Sequence, residues 1–344
     1  MANIMLNEIC NLRCPYCFAD EFVNKAPKEI TMDDFRKALE FSLSSGPNER
    51  IGIIGGEPTL HSRFKEIMSI LINDPRVGNV TVFTNGTRMS SFYNEFGHPK
   101  MHVLLNCNSP ANMGRSEFEK MCECIDTLIN ERYLRERLTL GINMYKPDFE
   151  YEYIIDLLKK YSMKSLRTSV SVPNDPFFNT HPLDYFTLMK PRVMEFFERL
   201  AEIGVIPFFD CNAIPPCVWT KEERASAAEK YPRSIDRTNI FFDRVKCNPV
   251  IDILPDLTVI RCFGMSETTK KAITDFENIE EARCYYIKNI DSVACHTVHS
   301  EKCLNCKANI NGTCWGGCLC FKAKNIVDLC GLFESATKKN YNND

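Results

Sequence analysis

The sequence has no surplus of charge of either sign: 42 Lys and Arg stand against 45 Asp and Glu, a net −3 over 344 residues. Without a basic excess there is little to neutralise a phosphate backbone, so nucleic acid is not an expected partner. No run approaches the about 18 consecutive apolar residues that cross a bilayer, and the first residues lack the charged start, long apolar stretch and small-residue cleavage site of a secretory signal. A cytoplasmic chain without a membrane partner is therefore expected. With 15 Gly and 18 Pro, neither a collagen-like nor a low-complexity chain fits. What the sequence does have is cysteine, 18 in all. A chain this long can bury its own core without disulfides. In a reducing compartment so many thiols read as metal or cluster ligands.

Their positions are uneven. Cys10, Cys14 and Cys17 fall in one short window, only Cys107, Cys122 and Cys124 follow before residue 211, and the other twelve lie between Cys211 and Cys330. One metal site in an N-terminal domain and more in a C-terminal one are implied. Through the first two hundred residues, strand-like runs at 4–9, 51–54, 80–84, 102–106, 138–143 and 166–172 alternate with helical patterns. Thr31-Met32-Asp33-Asp34 reads as a capped helix start before Phe35, Leu39 and Leu43. Phe118, Met121, Cys122, Ile125, Leu128 and Ile129 recur at helical spacing over 116–132, as do Phe186, Met189, Val193, Phe196, Phe197 and Leu200 over 184–202. Repeated strand–helix–strand units predict an α/β fold with a parallel sheet, either open or an incomplete barrel, and chemistry at the strands' carboxyl ends.

The first such end carries Cys10-Asn11-Leu12-Arg13-Cys14-Pro15-Tyr16-Cys17. Cluster and structural zinc sites both want four protein ligands, and only three are near. Either one iron of a four-iron, four-sulfur cluster is left open to a non-protein ligand, or a zinc knuckle is completed from afar. Gly55-Gly56-Glu57-Pro58 follows the second strand and Thr84-Asn85-Gly86 the third. Two glycines permit close approach of backbone to a ligand, and Glu57 offers an acceptor for an ammonium group.

These three segments, in this order, resemble the signature loops of the radical S-adenosylmethionine (SAM) superfamily. The resemblance covers roughly residues 1–210 and implies a partial (β/α)6 TIM-like barrel. It implies that Cys10, Cys14 and Cys17 hold the cluster, whose open iron takes the amino and carboxylate groups of SAM. Gly55, Gly56, Glu57 and Pro58 would then meet the SAM amino group, Thr84 and Asn85 would line the cofactor site, and Tyr16 would lie against the adenine. Asn106 and Asn143, ending the fourth and fifth strands, are the candidates for the SAM carboxylate and ribose, although relatives often have Ser at the former.

Beyond Gly204 residues 205–217 read as a last strand leading into a proline-rich exit that ends on Cys217, followed by a charged helix or linker at 220–235. The chain closes on a C-x2-C-x7-C-x3-C block, Cys303, Cys306, Cys314 and Cys318, with Cys330 beyond. Alone, that block would read as structural zinc. After a radical SAM barrel it resembles the SPASM extension, which adds two auxiliary clusters. The resemblance implies a linker at 211–240 and a small cysteine-rich α+β domain at 241–344, with Cys247 and Cys262 flanking a hairpin of strands at 251–254 and 258–260. Leu257 departs from the usual Gly, and seven residues rather than five separate Cys306 from Cys314. Cys303, Cys306, Cys314 and Cys330 would bind one auxiliary cluster. Cys247, Cys262 and Cys318 would bind the other, completed by Cys217 or Cys211 or left open to substrate; the prolines around Cys217 favour it. Cys122 is expected in the core as a small hydrophobe. Cys107, Cys124 and Cys284 lack ligand-spaced partners, Cys295 and Cys320 stand unassigned beside ligand positions, and His296 and His299 read as surface residues.

The cofactors implied are SAM and three four-iron, four-sulfur clusters. The implied activity is reductive cleavage of SAM to a 5′-deoxyadenosyl radical that abstracts a substrate hydrogen, with flavodoxin or ferredoxin as electron donor. A peptide or protein substrate is expected, carrying away a crosslink, thioether, epimer or oxidised residue. Because the first strand starts near residue 3, no leader-binding winged-helix module is expected. Either a separate protein presents the peptide, or the substrate is a short peptide, a folded-protein side chain or a small molecule, with a small-molecule dehydrogenase as the alternative activity. A non-enzymatic iron–sulfur or zinc protein would have no use for the segment at 55–58.

Overall fold

The structure is a computed structural model that describes residues 2–171, 180–211, 214–230, 247, 250–293, 301–316 and 318–322. Seven strands, β1 (Ala2–Met5), β2 (Glu49–Ile54), β3 (Val77–Thr84), β4 (Met101–Asn106), β5 (Leu138–Met144), β6 (Ser165–Val170) and β7 (Ile206–Cys211), pair in sequence order, all parallel. The sheet does not close, since β7 forms one edge. This is a partial barrel. On its other side β1 pairs in parallel with β8 (Ile251–Ile253), which continues through β9 (Thr258–Ile260) to β10 (Lys271–Ala272) in antiparallel hairpins. The hairpin expected inside a separate unit at 241–344 therefore extends the barrel's own sheet to ten strands.

Helices α1 (Met32–Ser42), α2 (Phe64–Asn73), α3 (Arg115–Asp126), α4 (Glu152–Lys160) and α5 (Pro182–Glu202) connect the strands. Thr31 caps α1 as its sequence suggests, its hydroxyl accepting from Asp34 N at 3.1 Å. On α3 the apolar face runs Met121, Cys124, Ile125 and, past the helix, Leu128, all buried. Cys122, expected in the core, lies about 100° off that line and is only half-buried, whereas Cys124 takes the core position.

Each strand has two unlike faces. Register places Ile4 beside Ile53, Ile53 beside Val82, Val82 beside Val103 and Leu105 beside Leu140, and all are buried under the helices. The alternate residues face the inside of the barrel. Asn3, Thr81, Phe83, His102, Leu104, Asn106, Thr139, Asn143 and Arg167 are each only half-buried. An alternation of fully buried and half-buried residues means that protein packs one face and leaves the other next to open space.

Candidate active site

At the carboxyl ends of β1–β3 the three sequence motifs join in one hydrogen-bonded assembly. β1 stops at Met5, short of the strand expected to residue 9, yet the chain keeps pairing with the exit of β2: Leu6 N donates to Ile54 O at 2.8 Å, Gly56 N to Asn7 O at 2.8 Å and Glu57 N to Ile9 O at 2.7 Å. A Cβ on Gly56 would lie 2.3 Å from Ile9 O, and one on Gly55 3.0 Å from Asn7 Oδ1. Gly56 must lack a side chain because the backbone leading into Cys10 lies against it, and Gly55 packs closely on Asn7.

Glu57 is buried, and its carboxylate is held by four donors from two loops. Oε1 accepts from Thr59 N (3.2 Å), Thr59 Oγ1 (2.6 Å) and Thr84 Oγ1 (2.8 Å), while Oε2 accepts from Asn85 N (2.8 Å). Burial raises its pKa, and these hydrogen bonds oppose the rise. Glu57 thus fastens the Gly-Gly-Glu-Pro loop to the Thr-Asn-Gly turn, with Oε2 retaining acceptor capacity. Gly86 takes the left-handed φ of +80° that the turn needs. From that turn Asn85 Nδ2 donates to Asn11 Oδ1 at 3.0 Å, and Asn11 Nδ2 donates to Thr87 Oγ1 at 2.9 Å, inside the cysteine loop.

The three thiols sit half-buried on this support. Asn24, at a left-handed φ of 59°, accepts from Cys10 N at 3.1 Å, and Cys14 Sγ donates to Asn108 Oδ1 at 3.8 Å. Burial, then the charges of Glu57 and Cys17, push Cys10 up to about 11; burial, then Cys10 and Cys17, push Cys14 up to about 12; burial also raises Cys17. Thiols kept neutral by burial and by neighbouring negative charge, with one opposing cation in Arg13, suit a cationic centre that would stabilise all three as thiolates. Among the described residues no three Cys, His, Asp or Glu side chains close on a point as one metal ion requires; a multi-iron cluster gives each thiolate its own iron.

Tyr16 lies against Tyr145, ring centroids 4.9 Å apart, and shares a hydrogen bond with Asn143. Asn143 Oδ1 also accepts from Arg167 Nη1 at 2.7 Å. Both Asn143 and Asn106 lie on the half-buried faces of their strands, toward the inside of the barrel. Pro58 opens a short 3-10 turn, buried behind the loop. Sequence reading did not single out Asn7, Asn11, Asn24 or Asn108; their signal was a concentration of asparagine at loop positions next to the motifs.

The C-terminal thiols fall into two neighbourhoods. Around the β8–β9 hairpin, Cys262 Sγ is 4.0 Å from Cys320 Sγ. That contact is the strongest influence on the Cys262 thiol and lowers it, but burial and the charges of Cys318 and Cys247 leave it raised overall. Cys217, expected to complete this group, instead has Cys314, Cys303 and Cys306 as its charged neighbours; burial and those thiols push it up to about 11 although the residue's surface is open. Cys330, Cys295, His296, His299 and the side chain of Cys211 lie outside the described residues. Leu257, where a Gly was expected, does adopt a left-handed φ of 64° at the hairpin turn. Cys107 and Cys124 are buried and Cys284 is exposed on α6 (Ile279–Tyr286).

The fold and this site define a partial-barrel protein with a three-thiol loop over its first strand. Residues 4–131 match the model of the radical SAM superfamily. It is similar to the GTP 3′,8-cyclase of Actinobacillus succinogenes, 23% identical over 191 residues, 52% of this chain and 56% of that protein. It is also similar to the mitochondrial GTP 3′,8-cyclase of Arabidopsis thaliana, 30% identical over 139 residues, 38% of this chain and 35% of that one. The chain spans about half the length, or less, of these relatives. Among solved structures it resembles anSMEcpe with bound AdoMet (TM-score 0.65, 16% identical, 92% of this chain and 85% of that chain). The same protein with AdoMet and the Cp18Cys peptide gives a TM-score of 0.63 at 14% identity, covering 96% and 99%. Streptococcus suis SuiB bound to S-adenosylmethionine gives 0.59 at 17%, covering 92% and 72%.

Proposed function

We propose that the chain is a cytoplasmic radical SAM enzyme that modifies a peptide or protein, with Cys10, Cys14 and Cys17 as the ligands of its SAM-binding cluster. The observation that carries this is the assembly just described: Glu57, Asn85 and Asn11 tie three separate loops into one support beneath the thiols. A metal-binding or carrier protein has no need of it. When bound, the cluster and SAM supply reductive cleavage to methionine and a 5′-deoxyadenosyl radical, the electron coming from a donor such as flavodoxin or ferredoxin. The chain's own residues position and enclose. Oε2 of Glu57 and the backbone at Gly55 and Gly56 would meet the SAM amino group. Tyr16 would pack on the adenine, with Asn106 and Asn143 toward the carboxylate and ribose. The inner face, half-buried at positions such as His102, Asn106, Asn143 and Arg167, would take the substrate and keep water from it.

For the C-terminal part the proposal is a SPASM-type extension with two auxiliary clusters, drawing on Cys247, Cys262 and Cys318 and on Cys303, Cys306, Cys314 and Cys330, to accept the substrate electron or hold substrate. The peptide reading is supported by likeness to a peptide-bound structure over nearly the whole chain. One observation favours a small-molecule substrate instead. The curated relatives are GTP 3′,8-cyclases, and Arg167 on the inner face would suit a phosphate or carboxylate.

Anaerobic purification with iron and sulfide analysis, then incubation with SAM and dithionite, tests the reading. A brown protein that yields 5′-deoxyadenosine is expected. A zinc-only protein, or one that never cleaves SAM, overturns it. Deuterium transfer into 5′-deoxyadenosine from labelled candidate peptides, set against labelled GTP, separates the two substrate classes.

A further inference from the structure

We propose that Cys320 is the fourth thiolate of the site formed by Cys247, Cys262 and Cys318. The inference rests on the auxiliary-cluster reading above and goes beyond it by replacing the ligand that sequence spacing favoured.

Cys320 lies on a short 3-10 turn, Leu319–Lys322, whose first residue is fully buried. Leu319 anchors that turn in the core and so fixes the thiols on either side of it, Cys318 and Cys320. The hairpin side is built to receive Cys320. A Cβ on Gly264 would fall 2.1 Å from Cys320 Sγ and 3.0 Å from its Cβ, so only a glycine two residues after Cys262 leaves room for this side chain. Its Sγ then reaches 4.0 Å from Cys262 Sγ, well beyond the about 2.05 Å of a disulfide. On the far side Arg261, buried with Asp291 in an ion pair at 2.9 Å, donates to Cys247 Sγ at 3.4 Å. A fixed cation hydrogen-bonded to a ligand sulfur is the kind of outer contact that orients metal ligands and tunes their potential. Phe263, next to Cys262, packs against Phe18, next to Cys17, at 4.9 Å between rings. The hairpin site is thereby held beside the first cysteine loop. Cys217 belongs to the other neighbourhood, with Cys303, Cys306 and Cys314.

The test uses the full chain with Cys10, Cys14 and Cys17 changed to Ala, reconstituted anaerobically so that only C-terminal clusters contribute. Adding Cys320→Ala is expected to remove up to about four irons per chain, or, where iron is kept, to shift the midpoint potential and reduced-state EPR signal of one cluster. Cys320→Ala with the parent's iron content and the parent's potentials overturns the assignment, as does recovery of Cys320 in a disulfide with Cys262 from the iron-loaded chain. If circular dichroism shows Cys320→Ala misfolded, Cys320→Ser decides: a shifted potential supports the assignment and an unshifted one overturns it. A parent without iron overturns the auxiliary-cluster reading itself, a result distinct from an iron-bearing parent indifferent to Cys320.

Discussion

The two thiol-rich regions are built in opposite ways. Around β1, Cys10, Cys14 and Cys17 come from one loop, and the protein contributes polar side chains that hold the loop in place. Around β8 and β9 the thiols come from residues far apart in the chain, and what unites them is packing: a glycine's missing side chain, one buried leucine and a buried ion pair. A local ligand set needs its loop stiffened, because loop-closure entropy is small and the loop is otherwise free to move. A dispersed set already rests on folded elements and needs only space and charge matched around it. Substitutions in the first region should therefore cost cofactor chemistry before stability, whereas those in the second should move both.

The largest effect expected is from Cys14→Ala, which should abolish 5′-deoxyadenosine formation while C-terminal iron stays bound; loss of all iron would mean that the two regions are not independent. Next, Gly56→Ala forces a methyl group to within 2.3 Å of Ile9 O. It should cost about 1–3 kcal/mol in denaturant unfolding and weaken iron retention at the first site more than at the others; uniform loss of iron would dissolve the distinction.

Asp252 tests the second region through pH. It is buried on β8, hydrogen-bonded to Asn3 Nδ2 at 2.7 Å, and burial raises it from 3.8 to about 7. The folded protein holds this proton where the unfolded chain releases it. Its stabilising contribution is therefore complete below about 3.8 and is lost as pH rises through about 7. Asp252→Asn should remove that decline, gaining on wild type by on the order of 2–4 kcal/mol between the two limits. Parallel stability–pH curves for the two proteins would show Asp252 ionised in the fold. The smallest effect separates ligands from packing thiols in the N-terminal half. Cys124→Ser, which exchanges a buried thiol beside Met89 Sδ for a hydroxyl, should cost about 1–3 kcal/mol, and half-buried Cys122→Ser less than about 0.5 kcal/mol. Neither should change the iron content.

Much of the barrel was legible in the sequence. Strand and helix periods are local, and Thr31 and the apolar stripe over 184–202 each encode their element within a few residues. The strand ends were less so: the pattern at residues 4–9 looks like one strand because Leu6, Asn7 and Ile9 stay extended and hydrogen-bonded after the regular pairing stops. The motifs stand at the carboxyl ends of β1–β3 as their order along the sequence suggested, whereas their hydrogen-bond partners were not legible. Glu57, Thr84 and Asn85 looked like groups waiting for a cofactor, yet most of their hydrogen-bonding capacity goes to one another.

By itself the sequence determined the alternating strand–helix order and the three-thiol loop with its two companion motifs. Those are properties of neighbouring residues, fixed by backbone geometry and short spacing. Only the tertiary structure decided that β8 joins the barrel's sheet, that Glu57 fastens two loops, and that Cys320 lies against Cys262. Each of these depends on residues distant in the chain meeting in space, and spacing along the sequence carries no record of which distant thiol the folded core will bring near.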